Sequence, residues 1–352
     1  MIFKLNPNPF MKKWLLAAMA TCIFTNTLLA QTDSPLPHFE GIGKAIRAVN
    51  EKYLVYNSAA AHSSVKKAER KRQELLAQID KSRYALADLS YYKNDRVLSK
   101  ATADYFKLLT DNMNDNYAKI VNLEEIAEQS YDNMEAYLLL RKKISERMEA
   151  AGDTIQLRQQ EYCKRHGITL TSAEDEMGRK MKQAGEVSQY NDNLYLIFFK
   201  CSSQEADLME ALEKKNITAM EQLKGAMVKY ADEGLARLDT TKSFAGDGTL
   251  KASCKRALDF FKKEGDKMTI STDFIMKQES FDKIKKTFES SPTARSNKQE
   301  IDNYNKAVNE LNKASNNYNQ NNQYLNDTRT ATYKDWNETT AAFLDNHMPY
   351  AK

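Results

Sequence analysis

The chain has 352 residues, of which 41% are hydrophobic and 28% charged, with only 11 glycines and 6 prolines. Fifty-two basic residues face 48 acidic ones, a formal +4. That near balance excludes a global field able to draw in nucleic acid or an anionic membrane surface.

The amino-terminal segment carries the layout of a secretory signal peptide. Lys12 and Lys13 precede the short apolar run from Trp14 to Phe24, and small Ala30 stands before the polar stretch opened by Gln31. Met11 is a better start than Met1, because it sets the lysine pair at the very beginning. Cys22 offers a lipoprotein reading, but Thr21 and Met19 lie where that signal wants small and aliphatic residues. Cleavage near Ala30 is therefore expected, with residues 31–37 as a short linker. The apolar run is too short for a membrane span, which needs about 20 residues, and no later segment qualifies. Removing residues 1–30 takes away Lys4, Lys12 and Lys13 and no acid, so the exported chain is close to neutral.

From His38 to Ser291 there is no proline, and Ala, Leu, Lys, Glu, Gln and Met dominate, which predicts long helices. Ile42, Ile46, Val49, Tyr53, Tyr56 and Ala60 step by three and four. The same spacing links Val65, Ala68, Leu75, Ile79, Leu86 and Leu89. A third stripe starts at Leu98, Ala101, Tyr105 and Leu108, weakens, and resumes at Ile120. A fourth runs from Met134 to Tyr162 and ends at Gly167. Each places an apolar face opposite a charged one, so residues 38–167 are expected to form a four-helix antiparallel bundle. Thr171-Ser172-Ala173-Glu174 has the pattern of a capping box, and residues 168–352 are read as a second bundle.

The second half looks like a repeat of the first. Asp104-Tyr105-Phe106-Lys107 lines up with Asp259-Phe260-Phe261-Lys262, and Tyr162-x-x-x-His166 with Phe343-x-x-x-His347. Phe244-Ala245-Gly246-Asp247-Gly248 reads as an inserted turn. After Pro292 a heptad runs through Ile301, Tyr304, Val308, Leu311, Tyr318, Leu325, Trp336 and Phe343. Ser315, Asn322, Arg329 and Thr332 keep the same phase but are polar. A helix over this region would be about 75 Å long, and its asparagine-rich centre suggests a kink or hinge. Pro349 stops it.

Sites for chemistry are scarce. No histidine has a glutamate three residues before or after it, so neither the Glu-x-x-His of di-iron bundles nor the His-x-x-Glu element of imelysin-like proteins occurs. Cys163-x-x-His166 lacks a second ligand pair for zinc, and a buried cysteine with a helix-end histidine explains it better. His347, at the matching place in the second half, is likewise expected to be a structural helix-end residue. The exported chain keeps Cys163, Cys201 and Cys254, an odd number, read as isolated core residues. There is no Gly-x-Ser-x-Gly and no phosphate-binding glycine loop. The run Lys66 to Arg72 is interrupted by Glu69 and reads as a solvated helix face. Aromatic residues are the one surplus: Tyr195, Phe198, Phe199, Phe260, Phe261 and Trp336 would suit a groove between two bundles, holding a partner helix or an apolar ligand. Ordinary core packing accounts for them too.

The chain resembles a group of exported all-helical surface or periplasmic proteins of Bacteroidetes and spirochaetes. The likeness rests on the signal, the proline-poor helices, the segment Gln160-Glu161-Tyr162-Cys163-Lys164-Arg165-His166-Gly167-Ile168, and the ending Trp336-x6-Phe343-x3-His347-Met348-Pro349. It implies a periplasmic or cell-surface location and brings no catalytic residues. In such bacteria Asp153-Thr154-Ile155 and Asp239-Thr240-Thr241 resemble O-glycosylation acceptors. The expected fold is all-α. The expected function is a non-enzymatic binding or envelope-structural protein with no cofactor, whose partner is an envelope protein, a glycan or an apolar ligand. A hydrolase with an unrecognised site and a homo-oligomeric coiled coil are the alternatives.

Overall fold

The computed structural model describes residues 34–127, 130–170, 176–293 and 296–351. The signal-like segment with Met11 and Cys22, and the capping box at Thr171–Glu174, lie outside the described residues. Among those residues the fold is all-α, with no strand and a single isolated bridge, Phe244 to Asp247, in the turn expected there. The helices are α1 (Leu36–His62), α2 (Val65–Ala87), α3 (Val97–Ala127), α4 (Tyr131–His166), α5 (Glu176–Glu213), α6 (Ile217–Thr240), α7 (Thr249–Ser290) and α8 (Lys298–His347). No described helix is long and apolar enough to cross a membrane.

Sequence chemistry sets the ends. Ser64 Oγ accepts from the amide of Lys67, Ser130 Oγ from Asn133 and Asn216 Oδ1 from Ala219, each satisfying an orphan donor of a first turn. Gly167 closes α4 in the left-handed region (φ 66°), where a side chain would be strained, and the Ile168 amide returns to the Cys163 carbonyl. α8 runs unbroken for 50 residues through its asparagine-rich centre, so no helix break separates its two parts. It stops two residues before Pro349.

The described chain groups into two units, one of residues 34–192 and 342–351, the other of residues 193–341. α5 and α8 contribute to both. In the first unit α1 pairs with α2 and α3 with α4. Their apolar stripes merge into one core built on Ile42, Ile46, Leu75, Ile79, Phe106, Met113, Met148 and Tyr162, to which α5 adds Met181. Full burial of such a side chain stabilises by about 1.5–3 kcal/mol. Arg72, in the basic run, is interior: Nη1 donates to the Met113 carbonyl at 2.6 Å, and Glu69 takes its other face. Lys71 and Arg70 in the same run reach Glu74.

The chain end is part of this first unit. Phe343, Leu344 and Met348 are buried, the Ala351 amide donates to Ser58 Oγ at 3.2 Å, and Gln183 Nε2 donates to the His347 carbonyl at 2.8 Å. His62, the last residue of α1, touches Asp345 Oδ1 at 3.0 Å and the Met348 carbonyl at 3.1 Å, and stacks on Tyr350.

In the second unit α6 packs closely on α7. A Cβ at Gly265 would stand 2.5 Å from a Val228 methyl, so the missing side chain is what permits that approach. Beyond Ile275, α7 and the first part of α8 continue as a two-helix arm. Phe274 stacks on Tyr318 and Phe288 on Tyr304, both with centroids 4.6 Å apart. No described residue from 276 to 313 is buried.

Phe343→Ala is expected to cost about 3–5 kcal/mol, read by urea unfolding. Hydrogen exchange should place the lost protection in residues 34–192. Loss confined to residues 193–341 would contradict the assignment of the chain end to the first unit.

Candidate functional site

The aromatic surplus assembles in the second unit. Phe198 is its hub, stacked on Trp336 at 4.5 Å with planes 10° apart and tilted against Phe261 at 6.0 Å. Phe260 flanks Phe261 at 5.6 Å, and Tyr195 flanks Phe199 at 5.7 Å. Phe198, Phe199, Phe260, Phe261 and Trp336 are buried, and Tyr195 is half-buried. All six lie within residues 193–341, as interior side chains of that unit.

Against this aromatic cluster sits a charged group drawn from three helices. Arg329 of α8 donates from Nε to Glu205 Oε1 of α5 at 2.5 Å, and from Nη2 to Glu264 Oε1 of α7. Tyr333 Oη donates to Glu205 Oε2 at 2.5 Å, and its ring meets the edges or faces of Phe198 and Phe261. Glu264 is 0% exposed and Glu205 3%. Two carboxylates against one guanidinium leave one negative charge too many for a low-dielectric interior. Burial first, then the adjacent Glu205, push the Glu264 carboxyl up to about 9, with Arg329 pulling the other way. Near neutral pH Glu264 therefore carries the proton, and Glu205 and Arg329 form the ion pair. Burial likewise raises the Tyr333 phenol well above its ordinary value, reinforced by Glu205. Such a group ties α5, α7 and α8 at one level.

A second polar cluster lies in the first unit, at the carboxyl end of α4. Asp95 Oδ2 accepts from Arg165 at 2.8 Å and lies 2.9 Å from His166 Nε2. Burial pushes the Asp95 carboxyl up, but the His166 and Arg165 hydrogen bonds outweigh it and hold it below its usual range. Tyr92 and Tyr162 pack on the His166 ring at 5.0 and 4.4 Å. His38, 3% exposed, lies between Tyr91 and Tyr162, and burial lowers its pKa despite opposite pulls from Ser90 and Asp95. The loop supplying these groups passes through a 3-10 turn, Tyr92–Asn94, in which Lys93 and Asn94 both have positive φ (48° and 59°). Two consecutive left-handed non-glycine residues are strained, and Asp95 with its two partners holds them.

His166 and His347 are the last residues of α4 and α8, and each packs on the ring four residues earlier, Tyr162 at 4.4 Å and Phe343 at 4.7 Å. Cys163, Cys201 and Cys254 are buried, and none of them is in a disulfide. Burial pushes Cys201 up to about 12 and Cys254 higher, which leaves both unreactive at neutral pH. Among the described residues no group of three or more His, Cys, Asp or Glu side chains is placed to hold a metal ion.

Arg329 was visible in the sequence as a polar residue in an apolar phase. Its partners carry a fainter mark: Glu205 follows Phe198 and Cys201 on the apolar face of α5, and Glu264 follows Ala257 and Phe261 on that of α7. Comparison with protein-family models, with curated proteins and with solved structures found no match for this chain.

Two outcomes follow. The Glu264 pKa rises from 4.5 when unfolded to about 9 when folded. The stability it contributes is therefore fully present below 4.5 and lost as pH climbs towards 9. In a chain beginning at Gln31, Trp336 is the one tryptophan, so its fluorescence reports this unit. The urea midpoint should fall between pH 5 and pH 9, and Glu264→Gln should flatten that slope. Arg329→Met strips both carboxyl groups of their cation and should cost about 3–5 kcal/mol at pH 7, by the same fluorescence.

Proposed function

We propose that this chain is a non-enzymatic helical binding or structural protein of the bacterial envelope, exported on its amino-terminal segment and acting through exposed helical surface. The supporting observation is the arm formed by the far parts of α7 and α8. Phe281, Ile284, Phe288, Tyr304, Val308 and Leu311 recur at heptad spacing, and all remain partly exposed. Elsewhere in the unit, residues at the same phase of α8, such as Leu325 and Trp336, are buried by other helices. A seam with that pattern, left partly exposed among the described residues, is what a partner helix would cover.

Glu264 and Glu205 also invite a hydrolase reading, because a carboxylic acid kept neutral beside a carboxylate is a known acid–base pairing. Their burial and their mutual commitment through Arg329 and Tyr333 weigh against it. A substrate would have to displace the bonds that hold three helices together. The resemblance to exported surface proteins fits the binding reading.

The test is amine-reactive cross-linking in intact cells. The chain should appear with Gln31 at its amino terminus and be captured in a higher-mass species. Phe281→Glu combined with Val308→Glu should abolish that species while leaving export and helicity unchanged. An uncleaved chain in the cytoplasm, or capture indifferent to these substitutions, would overturn the proposal.

A further inference from the structure

The arm has a regular register. The stacks Phe274–Tyr318 and Phe288–Tyr304 are separated by 14 residues on each helix, two heptads. On that spacing Phe281 and Leu311 each fall midway between the two stacks, and the Phe281 ring also meets Tyr304 at 5.7 Å. Lys277 and Glu310 add a rung at 3.9 Å. Between Met276 and Lys313 the described residues include seven basic and six acidic ones, with both signs on both helices. A polyanion or an anionic lipid surface would want one sign. A surface of mixed, nearly cancelling charge can instead be its own complement.

Area narrows the occupant further. The arm helices are about 15 residues long, or about 23 Å, and two abreast are about 20 Å wide. One face therefore offers on the order of 450 Å². Two such faces laid together remove roughly 900 Å² from water, close to the 1,000 Å² or so that a specific interface needs. A lone helix would remove about half as much.

From register, charge and area together we infer that the occupant of the arm is the arm of a second copy of this chain. The two lie antiparallel about a two-fold axis through the Phe281–Leu311 layer, closing a four-helix bundle. An isologous contact of this kind repeats the same patch on both partners. The inference rests on the binding reading above and names its partner.

Light scattering on the purified exported chain at micromolar concentration should give twice the chain mass. Phe281→Glu with Val308→Glu should return it to the single mass at unchanged helicity. A monomeric parent chain, or a dimer indifferent to those substitutions, overturns self-pairing. Leu311→Cys probes the same geometry without charging the seam. A bismaleimide should link two copies at this central layer and fail for Lys298→Cys, 13 residues nearer the tip. The native thiols are buried and give little background. Linkage at Lys298→Cys but not at Leu311→Cys overturns the antiparallel pairing. A monomer whose arm still cross-links to another envelope component in cells removes self-pairing and leaves the binding reading standing. Loss of both removes both.

Discussion

Arg329 holds the second unit in register. Its guanidinium occupies an interior heptad position on α8 and meets carboxyl groups from α5 and α7. A fork of fixed geometry can serve two carboxyl groups at once, where a lysine ammonium would be a single point. Apolar seams alone leave long helices free to slip by a turn, since one leucine packs much like another. A slip of one turn would carry Arg329 5.4 Å along the axis, part the Arg329–Glu205 ion pair, leave Glu264 without its guanidinium and break the Tyr333 bond as well. The network therefore contributes register more than stability, because most of its Coulombic gain offsets the loss of hydration. Moving the proton to Glu264 reduces that loss by removing the surplus charge.

The first unit uses polar groups differently. Asp95, His166 and Arg165 sit at a helix end, where the Asp95 loop meets the last turn of α4. His166 there also faces the negative end of the α4 dipole. The cluster joins one loop to one helix, and its core is otherwise closed by apolar stripes. The chain end supplies the remaining closure. Phe343, Leu344 and Met348 arrive from the far end of the sequence and bury themselves in the same unit, with His62 bonded to the Met348 carbonyl. Residues nearly three hundred positions apart thus depend on one another, which gives this unit a long-range contact that the local hairpins α1–α2 and α3–α4 lack.

The helices were legible because period and composition agreed. Ile42 to Ala60, Leu75 to Leu86 and Met134 to Tyr162 each step along one face, and the structure buries those faces. Gly167 and Pro349 marked helix ends because their backbone chemistry admits few alternatives. Burial of Phe198, Phe199, Phe260, Phe261 and Trp336 was foreseeable from their density, but the group they pack against was not. Glu205 and Glu264 look like two among 48 acidic residues, and each is distinguished only by its phase within its own helix. Recognising the site required combining three phases on three helices, which periodicity along one segment does not do. The expected hinge in α8 failed for a related reason. Asparagine weakens an isolated helix by a few tenths of a kcal/mol per residue, but Asn321 is buried and donates to the Lys267 carbonyl, while Tyr318 stacks on Phe274. Tertiary contacts outweigh so small a propensity term.

The same helix connects that interior group to the arm. Tyr318 lies eleven residues before Arg329, Tyr304 lies twenty-five before it, and α8 is continuous between them. An α-helix is stiff along its axis at this length, so an axial position set at Arg329 is carried to Tyr304. α7 is fixed at Glu264 in the same way and reaches Phe274, Phe281 and Phe288 without interruption. The two helices are thus held at one level in the core and meet fourteen residues apart in matching aromatic layers. Without that common anchor, the arm would hold a hairpin register by aromatic contact alone, and slippage by one heptad would pair different residues at modest cost. With it, Phe281 and Leu311 keep their places midway between the stacks, and the partly exposed seam has one geometry to offer. A surface that presents a single register is what repeated, specific helix docking requires, and here a half-buried arginine some distance along α8 from the arm supplies it.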